Sequence, residues 1–410
     1  MNIALFSDSY LPTKSGIVTV VIQLKRSLEE LGHKVVVVTV SSKHALEEDF
    51  EEEDDILRVK SIHSFVGDDQ YIGIPIRHKV VEFLEKHEVR LIHAHTEFFI
   101  GQMAVLAGKK IGIPVIATTH TMWEDYYRHY FTVGALVPKS VVRQIVRQLY
   151  KNFYALINVS EKAKNYFTKP KMLPNKACAI IPNAIDTEKF ISHEFSAEEK
   201  AAVRAEYHIA ESDKVMLYVG RVVEEKRVEE MLDVIIRVVR ADSRVKMLFV
   251  GAGGALYDLE ERVKKEGLSD KIIFTGFIDW FKVSSLYAIG DVFITTSLSE
   301  MHSMTILEAL SLGVPVVCRR DSSFSDTIFD GVDGFMADTD EEMDGYISKI
   351  LSDENLAASM RQKAREIASR FTLRLHGLRT VAFYEEVIAH FPYKIKSADL
   401  EKAVSAVKEE

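Results

Sequence analysis

The sequence predicts an α/β fold built from two doubly wound, parallel-sheet domains of the Rossmann type. Short runs rich in β-branched residues alternate with amphipathic helical stretches along the chain. The runs are continuously apolar rather than alternating, as in parallel strands that are buried on both faces. A length of 410 residues exceeds one ordinary core and suits two domains.

The predicted strands fall into two groups, separated by a polar region near the middle of the chain. Pro182 and Asn183 end a strand, and a polar stretch leads into the next one. We therefore predict an N-terminal domain of residues 1–187 and a C-terminal domain of residues 188–374, with helices of residues 375–410 packed back on the first domain. Ligands of doubly wound sheets bind beyond the carboxyl ends of the strands, so a cleft between two facing domains is the expected site. The expected strands are Ile3 to Phe6, Val35 to Thr39, Leu91 to Ala94, Val115 to Ala117, Val215 to Val219, Lys246 to Val250, Ile272 to Phe274, Val292 to Thr295 and Val314 to Val317.

The composition excludes several classes of protein. A formal charge of −9 disfavours a general nucleic-acid binder, so we expect no nucleic-acid partner. The first residues lack a basic region and their apolar run ends at Asp8, which indicates a strand rather than a signal peptide. No apolar run is long enough to cross a membrane. Cys178 and Cys318 lack the spacing of a zinc site or a disulfide framework, so the cytoplasm is the expected compartment.

The most informative motif combines two cations with two carboxylates. Arg221 and Lys226 follow one predicted strand, and Glu300 and Glu308 follow another, eight positions apart. Fixed cations stabilise the charge of a departing diphosphate, and carboxylates accept hydrogen bonds from ribose or hexose hydroxyl groups. Glu308 also lies in a mainly apolar helix, where a carboxylate is costly without hydrogen-bond partners. The motif predicts a site for a nucleotide-sugar donor.

Three further positions are separate candidates. Gly16 precedes a helix expected to begin near Val18, where backbone amides attract anions, and an ordinary strand-to-helix turn is the alternative. Gly251 opens a phosphate-side or packing turn rather than a nicotinamide site. His120 ends a strand and is placed for ligand contact, with a structural histidine as the alternative. The turn of residues 338–340 lacks convergent ligands, so we expect no metal site.

Together these motifs resemble the retaining glycosyltransferases of family 4, which have the two-domain GT-B fold. The resemblance covers nearly the whole chain. In that family, residues matching Arg221 and Lys226 hold the donor diphosphate. The residue matching Glu308 contacts the ribose, and the residue matching Glu300 lies beside the transferred sugar. The resemblance is carried by Gly16, His120, the segment from Ile181 to Asp186, Gly220 and Arg221 with Lys226, and the pair Glu300 and Glu308.

The turn after the first glutamate departs from the family pattern. Gly-Phe-Gly is usual there, whereas this chain has Met301, His302 and Ser303. Because that turn approaches the sugar, the difference bears on which sugar is transferred. Ser303, Met304 and Thr305 are predicted to contact the donor, together with Gly16, Gly251 and Glu308.

The segment from His120 to Tyr126 and the overall layout most resemble the bacterial 1,2-diacylglycerol 3-glucosyltransferases. The resemblance implies a metal-independent transfer of glucose from UDP-glucose to diacylglycerol with retention of configuration, and no cofactor besides the donor. No carboxylate nucleophile can be assigned, so we expect front-face substitution, with Arg221 and Lys226 stabilising the leaving group and His120 orienting the sugar. The alternatives are a glycosyltransferase with a soluble or polysaccharide acceptor and a nucleotide-sugar epimerase of similar fold.

A basic segment supports a lipid acceptor independently. Residues 139–176 contain nine Lys or Arg residues and one acid, Glu161, in a chain that is acidic overall. Lys139, Arg143, Arg147 and Lys151 recur at four-residue steps, as in a basic amphipathic helix on an anionic membrane at the inner face of the cell membrane. A helix packed on its domain with a basic edge is the alternative. The apolar surface of the membrane helix is expected from Val142, Ile145, Val146, Leu149 and Phe153.

Overall fold

The computed structural model of the chain describes residues 1–13, 15–42, 54–63, 71–74, 76–124, 127, 137–191 and 193–408. These residues form two compact units. The first contains Met1–Ala184 and the segment from Leu373 onward, and the second contains Ile185–Thr372. The chain thus leaves the first unit, completes the second, and returns to the first near its end.

A parallel sheet forms the centre of the first unit. Its strands are β1 Asn2–Phe6, β2 Lys34–Val40, β3 Ile56–Val59, β6 Leu91–Ala94, β7 Val115–Thr119, β8 Leu156–Asn158 and β9 Cys178–Ile180, while β4 Ser61–His63 and β5 Tyr71–Gly73 form a separate antiparallel hairpin. The strand order is β3-β2-β1-β6-β7-β8-β9, with parallel pairing throughout. The central strands are buried along nearly all of their length, which accounts for the continuous apolar runs in the sequence.

Helices connect and flank the strands of this sheet. The described ones before the second unit are α1 Gly16–Glu30, α2 Arg77–Lys86, α3 Phe99–Ile111, α4 Lys139–Tyr150 and α5 Glu161–Thr168. Helix α1 begins at Gly16 rather than near Val18, because the Ser15 hydroxyl accepts a hydrogen bond from the Val18 amide at 3.3 Å and caps the helix.

The second unit is built around a parallel sheet of its own. Its strands are β10 Lys214–Val219, β11 Val245–Val250, β12 Ile272–Gly276, β13 Val292–Thr295, β14 Val316–Arg319 and β15 Gly334–Ala337. They lie in the order β12-β11-β10-β13-β14-β15, and each pairing is parallel. The helices of this unit are α6 Thr187–Phe190, α7 Ala197–Glu206, α8 Val228–Ala241, α9 Leu256–Lys265, α10 Trp280–Ala288, α11 Met304–Ser311, α12 Asp340–Ser352 and α13 Glu354–Ala368, with 3₁₀ turns at Glu224–Lys226 and Ser369–Phe371.

The last two helices return to the first unit, and they are α14 Leu373–His390 and α15 Ser397–Ser405. The Ser27 hydroxyl of α1 donates a hydrogen bond to the Leu373 carbonyl at 2.7 Å. Gly377 lies so close to Ser27 that a Cβ atom would collide with it. The apolar side chains of α14 and α15 join the core of the first sheet, and they include Phe383, Tyr384, Val387, Leu400 and Val404.

The predicted fold class is confirmed. Every strand expected from the sequence is present, with its ends shifted by at most two residues. Strand Cys178–Ile180 is the one that Pro182 and Asn183 were expected to end. Three further strands of the two main sheets were not expected, and they cover only three or four residues each. They are Ile56–Val59, Leu156–Asn158 and Gly334–Ala337.

Buried histidines join α14 to the first sheet. The two ring nitrogens of His93 lie 2.6 Å from the Tyr384 hydroxyl and 2.6 Å from the Thr118 hydroxyl. His376 donates a hydrogen bond from Nδ1 to the Pro182 carbonyl at 2.7 Å. Because Tyr384 and His376 both lie on α14, these contacts fix that helix against the carboxyl ends of the strands.

Two more histidines complete this cluster. His95 Nδ1 lies 3.1 Å from His120 Nε2, and the histidines border a cavity of about 10 Å³. Burial lowers the pKa of His120 and of His376 to about 4. Burial also lowers the pKa of His93 and of His95 well below the ordinary value of 6.5. The folded state therefore holds these rings neutral at pH 7.

We expect this cluster to make the protein less stable in acid. The unfolded chain binds protons at histidine near pH 6.5, whereas the folded chain binds them at His120 and His376 only near pH 4. The free energy of unfolding should therefore fall as the pH drops from about 6.5 towards 4. His376→Asn should flatten this decline, measured by urea unfolding at several pH values.

The matched control is His78→Asn, which changes an exposed histidine of the same unit. It should keep the pH dependence of the parent. A pH dependence of His376→Asn as steep as that of the parent would contradict the assignment.

Candidate active site

The carboxyl edge of the second sheet carries the main candidate residues. Strand β10 ends just before Gly220 and Arg221, and β13 ends just before the loop that contains Glu300. The two strands are parallel neighbours, so both loops leave from the same edge of the sheet. Lys226 and Glu300, 74 positions apart in the sequence, are joined by a 2.6 Å contact between Nζ and Oε1.

Several contacts stabilise the ion pair of Lys226 with Glu300. The Ser297 hydroxyl donates a hydrogen bond to the Glu300 carboxylate at 3.1 Å. The Thr296 hydroxyl donates to the Arg227 carbonyl at 2.8 Å and ties the two loops together. Burial by itself would raise the pKa of Glu300, but Lys226 and Ser297 lower it below the ordinary value. Glu300 is thus held as a carboxylate, and it holds the ammonium group in place.

Glu225 is a further carboxylate in this site, which the sequence interpretation missed. It is buried, and it lies 3.1 Å from Arg221 Nη2 and 3.4 Å from Lys226 Nζ. The Ser299 hydroxyl donates a hydrogen bond to it at 3.0 Å. Its position four residues after Arg221 and directly before Lys226 is the sequence signal that could have revealed it.

The site has two cations and two carboxylates, whose formal charges cancel. Glu225 contacts both cations, and Glu300 contacts Lys226. The side chain of Arg221 is 51% exposed, so its guanidinium also faces solvent. An anion that binds at this edge meets two cations whose positions are already set, which reduces the reorganisation needed to stabilise its charge.

Glu308 follows this loop in the sequence, lies on α11 and is only 6% exposed. Its carboxylate accepts a hydrogen bond from Trp280 Nε1 at 2.9 Å and another from the Tyr287 hydroxyl at 2.9 Å. Burial raises the pKa of Glu308 to about 7, although both hydrogen bonds act in the opposite direction. The sequence had indicated that this carboxylate needs partners, and these two side chains are the partners in the structure.

The turn before α11 contains His302 and Ser303. The His302 ring is buried, with its centroid 5.5 Å from that of Phe371 and its Nε2 3.4 Å from the Thr327 hydroxyl. The Ser303 hydroxyl caps α11 by accepting a hydrogen bond from the Ile306 amide at 3.4 Å.

Met304 and Thr305 form the first turn of α11. The first amides of a helix have no acceptor within the helix, and they carry partial positive charge. The predicted donor contacts at Met304 and Thr305 are therefore available through the backbone.

The two glycine candidates differ in their surroundings. A Cβ atom on Gly251 would collide with the Gly220 carbonyl, and the Gly251 amide donates to the Gly276 carbonyl at 2.9 Å. The packing interpretation of that turn therefore accounts for the glycine. Gly16 is exposed at the first position of α1, and a Cβ atom there would meet open space. Its surroundings leave room for an anion at the start of α1.

His120 and Trp123 lie at the carboxyl edge of the first sheet. One His120 nitrogen faces His95, as described above, and the ring is held neutral by burial. The Trp123 indole donates a hydrogen bond to Glu97, a buried carboxyl whose pKa burial raises to about 7. The sequence interpretation missed Glu97. Asp125 and Tyr126, which belong to the segment used for the resemblance, lie outside the described residues.

The apolar face expected for the membrane helix requires a correction. Helix α4 does form over residues 139–150, but Val142, Val146 and Phe153 are buried in the first unit. The exposed apolar side chains of this helix are Val141 and Ile145, at 42% and 52%. Three of the five apolar residues that the sequence suggested for lipid therefore pack on protein, whereas Ile145 is exposed and Leu149 is half-buried.

The cations of α4 have two kinds of surroundings. Arg143 forms two hydrogen bonds to Glu124, at 2.7 and 2.6 Å, and Arg147 donates to the Met172 carbonyl at 2.9 Å. Despite burial, Arg143 is among the groups that lower the pKa of Glu124 to about 2. Lys139 and Lys151 are exposed. Arg143 and Arg147 therefore stabilise the packing of α4.

The described residues contain neither a cluster of metal-binding side chains nor a membrane-spanning helix. No three His, Cys, Asp or Glu side chains in the described ranges are grouped in a way that could hold a metal ion. No helix in the part of the chain that the structure describes is long and apolar enough to cross a membrane.

Comparisons with known proteins match both halves of the chain. The family described as Glycosyltransferase Family 4 matches residues 14–189, and Glycosyl transferases group 1 matches residues 199–367. Two similar proteins are each named alpha-monoglucosyldiacylglycerol synthase. The one from Streptococcus pneumoniae is 30% identical over 92% of this chain and 85% of its own length. The one from Acholeplasma laidlawii is 26% identical over 95% of this chain and 98% of its own length.

Solved structures show the same architecture. Anabaena HepE in complex with UDP superposes with a TM-score of 0.75 at 19% identity, covering 94% of this chain and 100% of that protein. The same protein in complex with UDP-glucose gives a TM-score of 0.72 at 18% identity, covering 94% and 99%. These likenesses establish the two-domain GT-B fold. Family models match both halves of the chain, and the alignment with a 30% identical relative covers most of both proteins. This chain therefore belongs to glycosyltransferase family 4 and is similar to bacterial monoglucosyldiacylglycerol synthases.

Proposed function

We propose that this glycosyltransferase transfers glucose from UDP-glucose to diacylglycerol with retention of configuration. The observation that carries the proposal is the contact between Lys226 and Glu300 in a chain 30% identical to a protein named alpha-monoglucosyldiacylglycerol synthase. The contact brings together the residues that the family pattern assigns to the donor diphosphate and to the transferred sugar. HepE, which has the same fold, binds UDP and UDP-glucose.

The donor groups are assigned by chemistry. Arg221 and Lys226 bind the diphosphate, because both are fixed cations at the carboxyl edge of the sheet. The first amides of α11, at Met304 and Thr305, add backbone donors for the same anion. Glu308 accepts hydrogen bonds from the ribose, and Glu300 lies beside the glucose.

Two residues of the first unit have proposed roles of their own. Gly16 leaves the amides at the start of α1 open to a phosphate group, where a side chain would obstruct it. His120 orients the glucose through its second ring nitrogen, since its Nε2 faces His95. Because the His120 ring is held neutral, its contact with a sugar hydroxyl is a hydrogen bond between neutral groups.

The chemical step is a front-face substitution at the anomeric carbon. The bond from that carbon to the donor phosphate oxygen breaks, and a bond to the acceptor hydroxyl oxygen forms on the same face. The departing phosphate oxygen takes the acceptor proton, and UDP leaves. Arg221 and Lys226 stabilise the charge that grows on the diphosphate, so the proposed reaction needs no metal ion.

The lipid acceptor places the enzyme at the inner face of the cell membrane as a peripheral protein. The structure supports a narrower contact surface on α4 than the sequence suggested. Val141 and Ile145 supply exposed apolar area, and Lys139 and Lys151 supply exposed positive charge. Exposed apolar side chains on a helix with an exposed lysine at each end are suited to an anionic lipid surface.

An acceptor panel tests the proposed function. The enzyme should form glucosyl-diacylglycerol from UDP-glucose and diacylglycerol vesicles, with an α-anomeric proton signal in the NMR spectrum of the product. Diacylglycerol already carrying glucose, soluble sugars and water serve as the other acceptors. Preferred transfer to a soluble sugar, or donor turnover without any acceptor, would replace the proposal by a soluble-acceptor enzyme or an epimerase.

The diphosphate assignment predicts large losses of turnover. Arg221→Ala and Lys226→Ala should each lower kcat about 100-fold or more, the usual scale for one preorganised charge stabiliser. Arg240→Ala and Lys265→Ala, which change exposed cations of the same unit, are the controls. Circular dichroism checks folding, because Lys226→Ala leaves Glu300 without its cation. Wild-type turnover in both site variants would contradict the assignment.

A metal-independent reaction predicts full activity in a chelator. Initial rates measured after dialysis against EDTA should equal those measured with added Mg²⁺ or Mn²⁺, because the two cations supply the charge that a divalent ion would otherwise provide. A rate that is lost in EDTA and restored by one divalent ion would show that the reaction requires a metal ion.

The membrane assignment predicts a specific loss of vesicle binding. Each lysine near an anionic surface contributes about 1 kcal/mol, so Lys139→Gln with Lys151→Gln should weaken binding to phosphatidylglycerol vesicles roughly 30-fold. UDP affinity should not change. The matched control is Lys109→Gln with Lys110→Gln, an exposed basic pair on α3. Equal cosedimentation of both double variants with the parent would rule out a membrane role for α4.

A further inference from the structure

Two side chains of one helix hold the carboxylate of Glu308. Trp280 and Tyr287 lie seven positions apart on α10, which is about two helical turns and places both on one face. Trp280 donates to Oε1 and Tyr287 donates to Oε2, each at 2.9 Å. One donor on each oxygen fixes the plane in which the carboxylate lies.

The surroundings of this carboxylate are incomplete for a purely structural role. In the part of the chain that the structure describes, no ion pair links a lysine or arginine to Glu308. A buried carboxylate without a cation is costly, and an apolar side chain would pack more favourably. Each oxygen has lone pairs beyond the one used by its donor. The arrangement suits a ligand that brings two more hydroxyl donors.

We infer that Trp280 and Tyr287 are positioning residues for the donor, which orient the two oxygens of Glu308 towards the two hydroxyl groups of a ribose. The inference rests on the proposed function, in which Glu308 binds the ribose. A vicinal diol presents two hydroxyl donors side by side, and a carboxylate held in one plane accepts both.

The contacts of the two positioning residues extend beyond Glu308. The Tyr287 hydroxyl oxygen also lies 3.1 Å from the Thr305 carbonyl oxygen, so its single proton is shared between Glu308, the nearer acceptor, and the first turn of α11. The Trp280 ring packs against Phe190, with centroids 5.3 Å apart, which restricts the indole. Tyr287 therefore links the ribose carboxylate to the helix start assigned to the diphosphate.

Donor binding should depend on pH, because only an ionised Glu308 accepts both hydroxyl groups. Among the described residues, the groups that act on Glu308 are Trp280 and Tyr287 from α10, and both favour the carboxylate. Burial raises the pKa of Tyr287 well above its ordinary value, so Tyr287 stays a neutral donor. Removing either hydrogen-bond donor should raise the pKa of Glu308 above about 7. As the pH is lowered, the affinity for the nucleotide sugar should then be lost at a higher pH than in the parent.

The test uses Trp280→Phe and Tyr287→Phe in the full chain, with UDP-glucose as the probe. UDP is avoided for the pH series, since a terminal phosphate titrates near pH 6. Calorimetry and initial rates should give a Kd and a KM about 10-fold higher, the scale of one hydrogen bond to a charged group, with kcat little changed. The pH midpoint for donor binding should move upward in both variants.

Two controls separate positioning from general damage. Tyr346→Phe removes a hydroxyl elsewhere in the same unit, where the ring stacks on Phe335, and should behave as the parent. In a Glu308→Gln background, adding Trp280→Phe should cause little further loss, because the indole acts through the carboxylate. The preference for UDP over 2′-deoxy-UDP should shrink in both positioning variants.

The outcomes distinguish a failure of the positioning role from a failure of the proposed function. If the parent binds UDP-glucose and the two variants match it in KM and pH midpoint, the positioning role is overturned and the proposed function stands. Losses from Trp280→Phe and Glu308→Gln that simply add would also overturn it. If the parent binds neither UDP nor UDP-glucose, the proposed function fails and this inference fails with it.

Discussion

The parallel pairing of β10 with β13 is the constraint on which the candidate site depends. Parallel strands point their carboxyl ends to one edge of the sheet, so the loop after β10 and the loop after β13 leave side by side. That adjacency lets Lys226 reach Glu300 across 74 positions of sequence. An antiparallel arrangement of the same strands would send the two loops to opposite edges, and the cations and carboxylates could not meet.

Charge compensation explains how this edge can hold charged side chains in a partly buried place. Removing a charge from water is costly unless a partner and hydrogen bonds replace the water. Glu225 and Glu300 offset Arg221 and Lys226, and the hydroxyl groups of Ser297 and Ser299 take up remaining carboxylate lone pairs. Glu308 is held differently, by two neutral donors and, among the described residues, by no cation. Glu300 and Glu308, the two carboxylates of the sequence motif, thus have different surroundings, which suits them to different parts of a ligand.

Helix α4 shows how far an amphipathic pattern can be interpreted without its neighbours. The periodicity of Val142 and Val146 requires that one face of the helix be covered, and it does not distinguish lipid from protein. In the structure that face packs on the first unit, and Glu124 binds Arg143. The helix keeps Val141 and Ile145 exposed, with an exposed lysine at each end, and these residues are the surface that we propose for membrane contact.

The sequence by itself determined the fold class, because parallel strands that are buried on both faces have continuous apolar sequences. The alternation of such strands with helices admits few topologies. The sequence also determined the cations and carboxylates of the donor motif and the need of Glu308 for partners, since these depend on residue type and local spacing. Only the tertiary structure decided which partners they have. Trp280 and Tyr287 lie near Glu308 through the packing of α10 on α11, and no local pattern records such distances. The return of α14 to the first core, the burial of the His302 ring and the covered face of α4 were decided in the same way, by which surfaces the folded chain brings together.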